Sequence, residues 1–300
     1  MRRNDLLILF TGAVLVSASV LSPRVSAQIM LPATKQGMVD LGERYATADE
    51  LYQAFEQQVD GGQQPSWTQL PDWSGVYARG GIIFNFDVDQ GRNRLPTAKL
   101  TPEYEQRLLA KLDRLDRGIE YDELSACAPP GHPRWLTEPF LREFVPTPEQ
   151  TWLINEMVND IRRIYTDGRG HPPVEDRYAS YNGDSIGFWA GQQLVVHTNQ
   201  LHSGVYQRTQ PEYSDQVETV EIWEKVSERD LIAHVWVYDP PALAKPWYAK
   251  QTYTTLSDEQ RLRIRYWHCS ENQNNNVIQT EDGSSQFSDF SFTDLDDGEG

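Results

Sequence analysis

The stretch S-I-G-F-W-A-G-Q-Q-L-V-V-H-T, Ser185 to Thr198, decides the fold. It holds two short extended runs on either side of Ala190-Gly191-Gln192-Gln193. Gly191 is free to take positive φ, which a tight antiparallel turn needs. The stretch therefore reads as a β-hairpin.

The same rhythm continues on both sides. Thr151 to Val158 and Asp160 to Thr166 read as extended runs, the second ending at Asp167-Gly168-Arg169. Val217 to Val226 and Leu231 to Tyr238 form a second hairpin. Trp247 to Leu256 and Leu262 to Cys269 form a third. With Trp73 to Tyr77 this makes about eight or nine strands in an antiparallel up-and-down meander, which suits closure into a barrel. An open sheet curled over a helix is the alternative. The 9 Trp and 14 Tyr fit such a mainly β fold.

Other segments surround this domain, which is expected over residues 66–280. Residues 1–27 have the form of a secretory signal peptide: Arg2-Arg3, an apolar run, then Val25-Ser26-Ala27. The run is shorter and more polar than the roughly 20 apolar residues of a membrane span. The expected location is therefore periplasmic or secreted, with no membrane anchor. Residues 28–65 read as a helical extension, with the capping box Thr47-Ala48-Asp49-Glu50. Thr101-Pro102-Glu103 starts a helical insertion near 101–118. The strap Cys127-Ala128-Pro129-Pro130-Gly131-His132-Pro133-Arg134 is too rich in proline for helix or ladder. Residues 281–300 form an acidic tail expected to be disordered.

The formal charge is -17. Such a chain repels phosphate backbones, so nucleic acid is not an expected partner. The two cysteines, Cys127 and Cys269, are expected to form one disulfide in an exported chain. The six histidines have no metal-ligand spacing, and neither a metal nor another cofactor is indicated.

Several motifs taken together resemble a large family of exported bacterial proteins of uncharacterised function. They are L-T-P-E-Y (Leu100 to Tyr104), C-x-P-x-G-x-P-R (Cys127 to Arg134), R-R-I-Y-x-D-G-R-x-H-P (Arg162 to Pro172), S-x-G-x-W-x-G-x-x-L-V-V-x-T (Ser185 to Thr198) and D-P…K-P-W (Asp239 to Trp247). The resemblance implies export and a lipocalin-like barrel. It implies no reaction. Ala190 and Gln192 depart from the usual acidic residues of that turn.

Alternation along the strands gives candidate interior residues. Trp152, Ile154, Glu156 and Val158 share a face. Ile232, His234, Trp236 and Tyr238 share another, as do Leu262, Ile264, Tyr266 and His268, and Glu221 lies with Thr219 and Trp223. Two functions follow. The first is a barrel that binds a small, largely apolar molecule inside, lined by Trp152, Trp236, His234 and Tyr266, with Arg163 as a polar anchor. The second is a cofactor-free acid-base enzyme of the isomerase, hydratase or lyase type, with Glu156, His171 or His268 moving the proton. A structural envelope protein is a third, plainer reading.

Overall fold

The computed structural model describes residues 28–80, 98–119, 122–256, 263–267, 277–279 and 285–287. Its centre is a closed barrel of nine strands. In chain order these are β1 (Tyr77–Gly80), β2 (Arg142–Pro146), β3 (Gln150–Asn155), β4 (Ile161–Tyr165), β5 (Asp184–Ala190), β6 (Gln193–Asn199), β9 (Glu218–Lys225), β10 (Asp230–Tyr238) and β11 (Trp247–Thr255). A small hairpin, β7 (Gly204–Val205) with β8 (Glu212–Tyr213), interrupts the series between β6 and β9. The architecture is that of a lipocalin-like barrel.

The decisive hairpin forms as its residues require. Ala190 pairs with Gln193, leaving Gly191-Gln192 as a two-residue turn. Gly191 adopts φ +62°, as the first central position of a type II′ turn demands. Closure comes from β1, which pairs antiparallel with β11 on one side and with β2 on the other.

Three features differ from the sequence expectation. β2 is a strand that the periodicity did not reveal, because Arg142–Pro146 is short and ends in proline. β4 and β5 pair in parallel through Ile164↔Ser185 and Tyr165↔Ile186, so the meander is not antiparallel throughout. The crossover between them carries the chain back to the starting end. Residues 263–267 are not a strand, although Leu262 to Cys269 reads as one.

Both faces of the barrel wall are covered. The inner face carries Trp73, Tyr77, Phe144, Leu153, Ile164, Trp189, Val196, Trp223, Val235 and Tyr253 in one buried cluster. The outer face of β5, β6, β9, β10 and β11 lies under two helices, α1 (Lys35–Glu43) and α2 (Ala48–Gln58). Thr47 caps α2 by accepting from Glu50 N at 3.2 Å, and Glu50 Oε2 accepts from Ala46 N at 2.8 Å. The expected capping box thus forms with its return bond one residue earlier. Leu51 and Phe55 of α2 are fully buried, a contribution of about 1.5–3 kcal/mol for each side chain.

α3 (Pro102–Asp116) is the expected insertion, with Pro at its first turn and Gly118 at φ +74° just past its end. Thr101 does not cap it by side chain; its hydroxyl donates to Pro241 O at 2.8 Å. Within the acidic tail, Ser285–Phe287 pairs with Val277–Gln279 just before it, and the rest of residues 281–300 lies outside the described residues. Residues 1–27, expected to be a signal peptide, also lie outside them. Among the described residues, no helix is long and apolar enough to cross a membrane.

Candidate functional site

The interior expected to hold a ligand holds the chain's own strap. Residues 130–138 are buried without a break. Gly131 has φ +67°, and a Cβ there would meet Tyr181 O at 2.6 Å, so only glycine lets the strap turn in. His132 N donates to Tyr181 O at 2.7 Å. Trp135 packs against Phe144 and Tyr253, and Tyr253 Oη donates to Leu136 O at 3.0 Å. Arg142 Nη2 donates to the carbonyls of Trp135 and Glu138, each at 2.6 Å. Arg134 forms a fork on Asp122 at 2.9 and 2.8 Å and donates from Nε to Glu138 at 2.6 Å.

The strap's anchor is a buried charge cluster on the inner wall. Arg162 (β4) and Glu221 (β9) are both fully buried and pair through two bonds. Nη1 donates to Oε2 at 3.0 Å and Nη2 to Oε1 at 2.5 Å. Arg162 also donates to Ser185 Oγ at 3.2 Å and Thr198 Oγ1 at 2.7 Å. Trp223 Nε1 donates to Glu221 Oε2 at 2.9 Å. His132 Nε2 lies 2.8 Å from Thr219 Oγ1 and 3.3 Å from Glu221 Oε1. Thr219 Oγ1 donates to Glu221, so His132 Nε2 carries the proton and donates to Thr219. His132 Nδ1 is left as a buried acceptor with no partner.

The electrostatics follow. Burial, the largest single influence, would raise the Glu221 carboxyl, but the Arg162 charge, His132 and the hydrogen bonds from Arg162 and Trp223 together outweigh it, and the pKa falls to about 2. Burial lowers His132, the Arg162 charge lowers it further, and it falls to about 3. At neutral pH the cluster is therefore a carboxylate, a guanidinium and a neutral imidazole. Its charges balance and nearly every donor is placed, which is the pattern of an anchor.

The residues expected to line one interior site are not brought together. Trp152 and Arg163 face outward from β3 and β4, with the Arg163 guanidinium 5.7 Å from the Trp152 ring centroid. Glu156 lies past the end of β3 and accepts from Arg265 N at 3.1 Å. Trp236 faces outward beneath α1, and its Nε1 donates to Met38 O at 2.8 Å. His234 is likewise on the outer wall, 2.8 Å from Tyr248 Oη and 3.4 Å from Glu224 Oε1. Tyr266 is 80 % exposed outside any strand. His268 lies outside the described residues. For Trp236 and His234 the reason is the helical cover. An outer wall under α1 and α2 is as apolar as the inner one, so alternation does not tell in from out.

His171 has partners suited to proton chemistry: its Nδ1 lies 2.5 Å from Asp184 Oδ1 and its Nε2 lies 3.0 Å from His197 Nδ1. Among the described residues no group of His, Cys, Asp and Glu is disposed to hold a metal. Cys127 is not a free thiol, and Cys269 lies outside the described residues.

A concave surface remains at the rim, beside β1 and β2. It is a groove of about 680 Å³ lined by Trp67, Leu70, Trp73, Val76, Phe144 and Val145, with Asp72, Glu143 and Arg263 as charged groups. Trp67 is 70 % exposed and Val145 39 %, unusual for side chains of their size. Leu70 also borders a second depression of about 330 Å³, lined by Gln63, Thr68, Gln69 and Gln192 and by no ionisable side chain. Neither region was legible in the sequence, because Trp67 and Leu70 fall between the helical extension, which ends at residue 65, and the first expected strand at Trp73.

No protein-family model and no curated protein sequence matches the chain.

Proposed function

We propose that the protein is an exported barrel that binds a small, largely apolar molecule, and that the molecule sits in the rim groove rather than inside the barrel. The groove carries this reading. Its volume of about 680 Å³ falls within the range of ligand pockets, and it joins an apolar floor to a few charged groups. The neighbouring amide-lined depression suits an uncharged polar end on the same molecule. Export rests on the leader, and membership of the exported bacterial family rests on the motif order from Leu100 to Trp247. In this setting Cys127 pairs with Cys269; the mature protein should show no reactive thiol until it is unfolded and reduced. Native mass spectrometry of protein taken from its producing cells tests the binding reading. An added small-molecule mass, lost in Trp67→Ala, is the expected result. A clean apo mass that persists when apolar compounds are added would overturn it.

A second reading is the cofactor-free acid-base enzyme, of isomerase, hydratase or lyase type. The short contact between His171 and Asp184 favours it, since a carboxylate on one ring nitrogen orients an imidazole for proton transfer. Loss of turnover in His171→Gln, with ligand still bound, is its expected signature.

A further inference from the structure

Outside the barrel, four ionisable side chains form an unbroken row. Asp184 begins β5, His171 belongs to the β4–β5 crossover, His197 faces outward from β6, and Glu218 begins β9. Asp184 Oδ1 and His171 Nδ1 are 2.5 Å apart, His171 Nε2 and His197 Nδ1 3.0 Å, and His197 Nε2 and Glu218 Oε2 3.1 Å. The two rings meet edge to face, with centroids 4.8 Å apart.

Counting protons along this row gives a definite answer. Each of the three contacts needs one proton between its two heavy atoms. An ionised carboxylate only accepts, and a ring nitrogen donates only when it carries hydrogen. Two neutral imidazoles bring two protons. The carboxylates claim both, and the two lone pairs of the ring-to-ring contact then face each other at 3.0 Å. Two imidazolium rings bring four protons, and N–H then faces N–H. Only three protons complete the row. We propose that the closed row is a proton-binding site: it holds a third proton shared between His171 and His197, has a net charge of -1, and by that proton clasps the crossover at residues 166–183 to the barrel wall.

Titratable and charged groups flank the row on several elements. Tyr52 of α2 lies with its ring 5.5 Å from His197, and Asp49 and Glu56 act on Tyr52 from the same helix. Tyr238 of β10 stands opposite Glu218 in the ladder. Arg169 acts on the Asp184 end, and Asp167 pairs with it. His171 and His197 are 10 % and 3 % exposed at the side chain, but Asp184 and Glu218 are 25 % and 37 % exposed. The row is dry in its middle and reaches water at both carboxylates, so protons enter and leave at its ends.

The test uses the full mature chain labelled with nitrogen-15 at histidine. A through-bond coupling between His171 Nε2 and His197 Nδ1, together with amide protection across 166–183, is the expected state of the closed row. Raising the pH should abolish the coupling and reduce that protection together, by about tenfold for loss of one charge-assisted bond. His171→Gln should have lower protection in this segment that no longer follows pH, with the aromatic circular dichroism of the barrel unchanged. Two results would overturn the proposal: protection without any ring-to-ring coupling, or a wild-type pH profile in His171→Gln.

Discussion

The inner and outer walls of this barrel solve the same problem with opposite outcomes. Inside, Arg162, Glu221 and His132 are fully buried, and a fixed guanidinium meets the carboxylate through two bonds. The donors of this cluster are placed at neutral pH without an added proton, while His132 Nδ1 stays an unpartnered acceptor. Outside, Asp184, His171, His197 and Glu218 form a row of similar contacts but contain no fixed cation. That row needs a proton from solvent. A buried cluster that holds a permanent charge pair is an anchor, whereas a cluster short of one proton is responsive. The interior, occupied by the strap, is therefore the fixed half of the molecule, and the rim and outer wall are where the proposed ligand and the proposed proton bind.

The largest effect should come from breaking the inner pair. Glu221→Ala leaves Arg162 buried and uncompensated, at a cost of about 3–5 kcal/mol in urea unfolding. The double variant Arg162→Met, Glu221→Leu should recover most of that loss, because an apolar pair of similar volume carries no stranded charge. A double variant no more stable than the single one would contradict the account of the anchor. Phe55→Ala, which strips the outer wall of its α2 cover, should cost about 3–5 kcal/mol as a buried aromatic truncation.

Acid separates the two walls next. His132 takes its proton near 6.5 when unfolded but near 3 when folded. Its contribution to stability is full above about 6.5 and is lost as the pH falls towards 3. Glu221 moves the same way, from 4.5 to about 2, so its contribution is full above 4.5 and lost as the pH falls towards 2. Acidification should thus unfold the barrel progressively, and His132→Phe should flatten the upper part of that curve. A curve unchanged in His132→Phe would mean that the strap is not anchored through a neutral imidazole. The smallest effect on stability is expected at the rim. Trp67→Ala removes an exposed ring and should stay within about 0.5 kcal/mol of wild type.

How much of this was readable in the sequence depends on which partners were local. The β5–β6 hairpin was legible because Gly191 supplies its turn within four residues, and α2 and α3 were legible from Thr47 and Pro102. That Thr219, Glu221 and Trp223 share one face of β9 was also legible, though not that this face is the inner one, since both are buried. β10 was not. Ile232, His234, Trp236 and Tyr238 read as an interior face but lie under α1 and α2, and both faces of that strand are buried. The anchor was illegible for another reason. His132 reaches Thr219 across 87 residues and Arg162 reaches Glu221 across 59, and no spacing rule connects such positions. Glu156 read as an interior position of the expected strand Thr151 to Val158, yet that strand ends at Asn155.

The most direct test of the whole account is a titration of the folded protein with an uncharged apolar probe, followed by tryptophan emission, in wild type, Trp67→Ala and Leu153→Ala. Trp67 lines the rim groove and Leu153 lines the interior. The account predicts saturable binding that weakens about tenfold, one lost buried contact, in Trp67→Ala and is unchanged in Leu153→Ala. Binding that ignores Trp67→Ala but tightens when Leu153→Ala enlarges the interior would contradict it, and would place the ligand behind the strap.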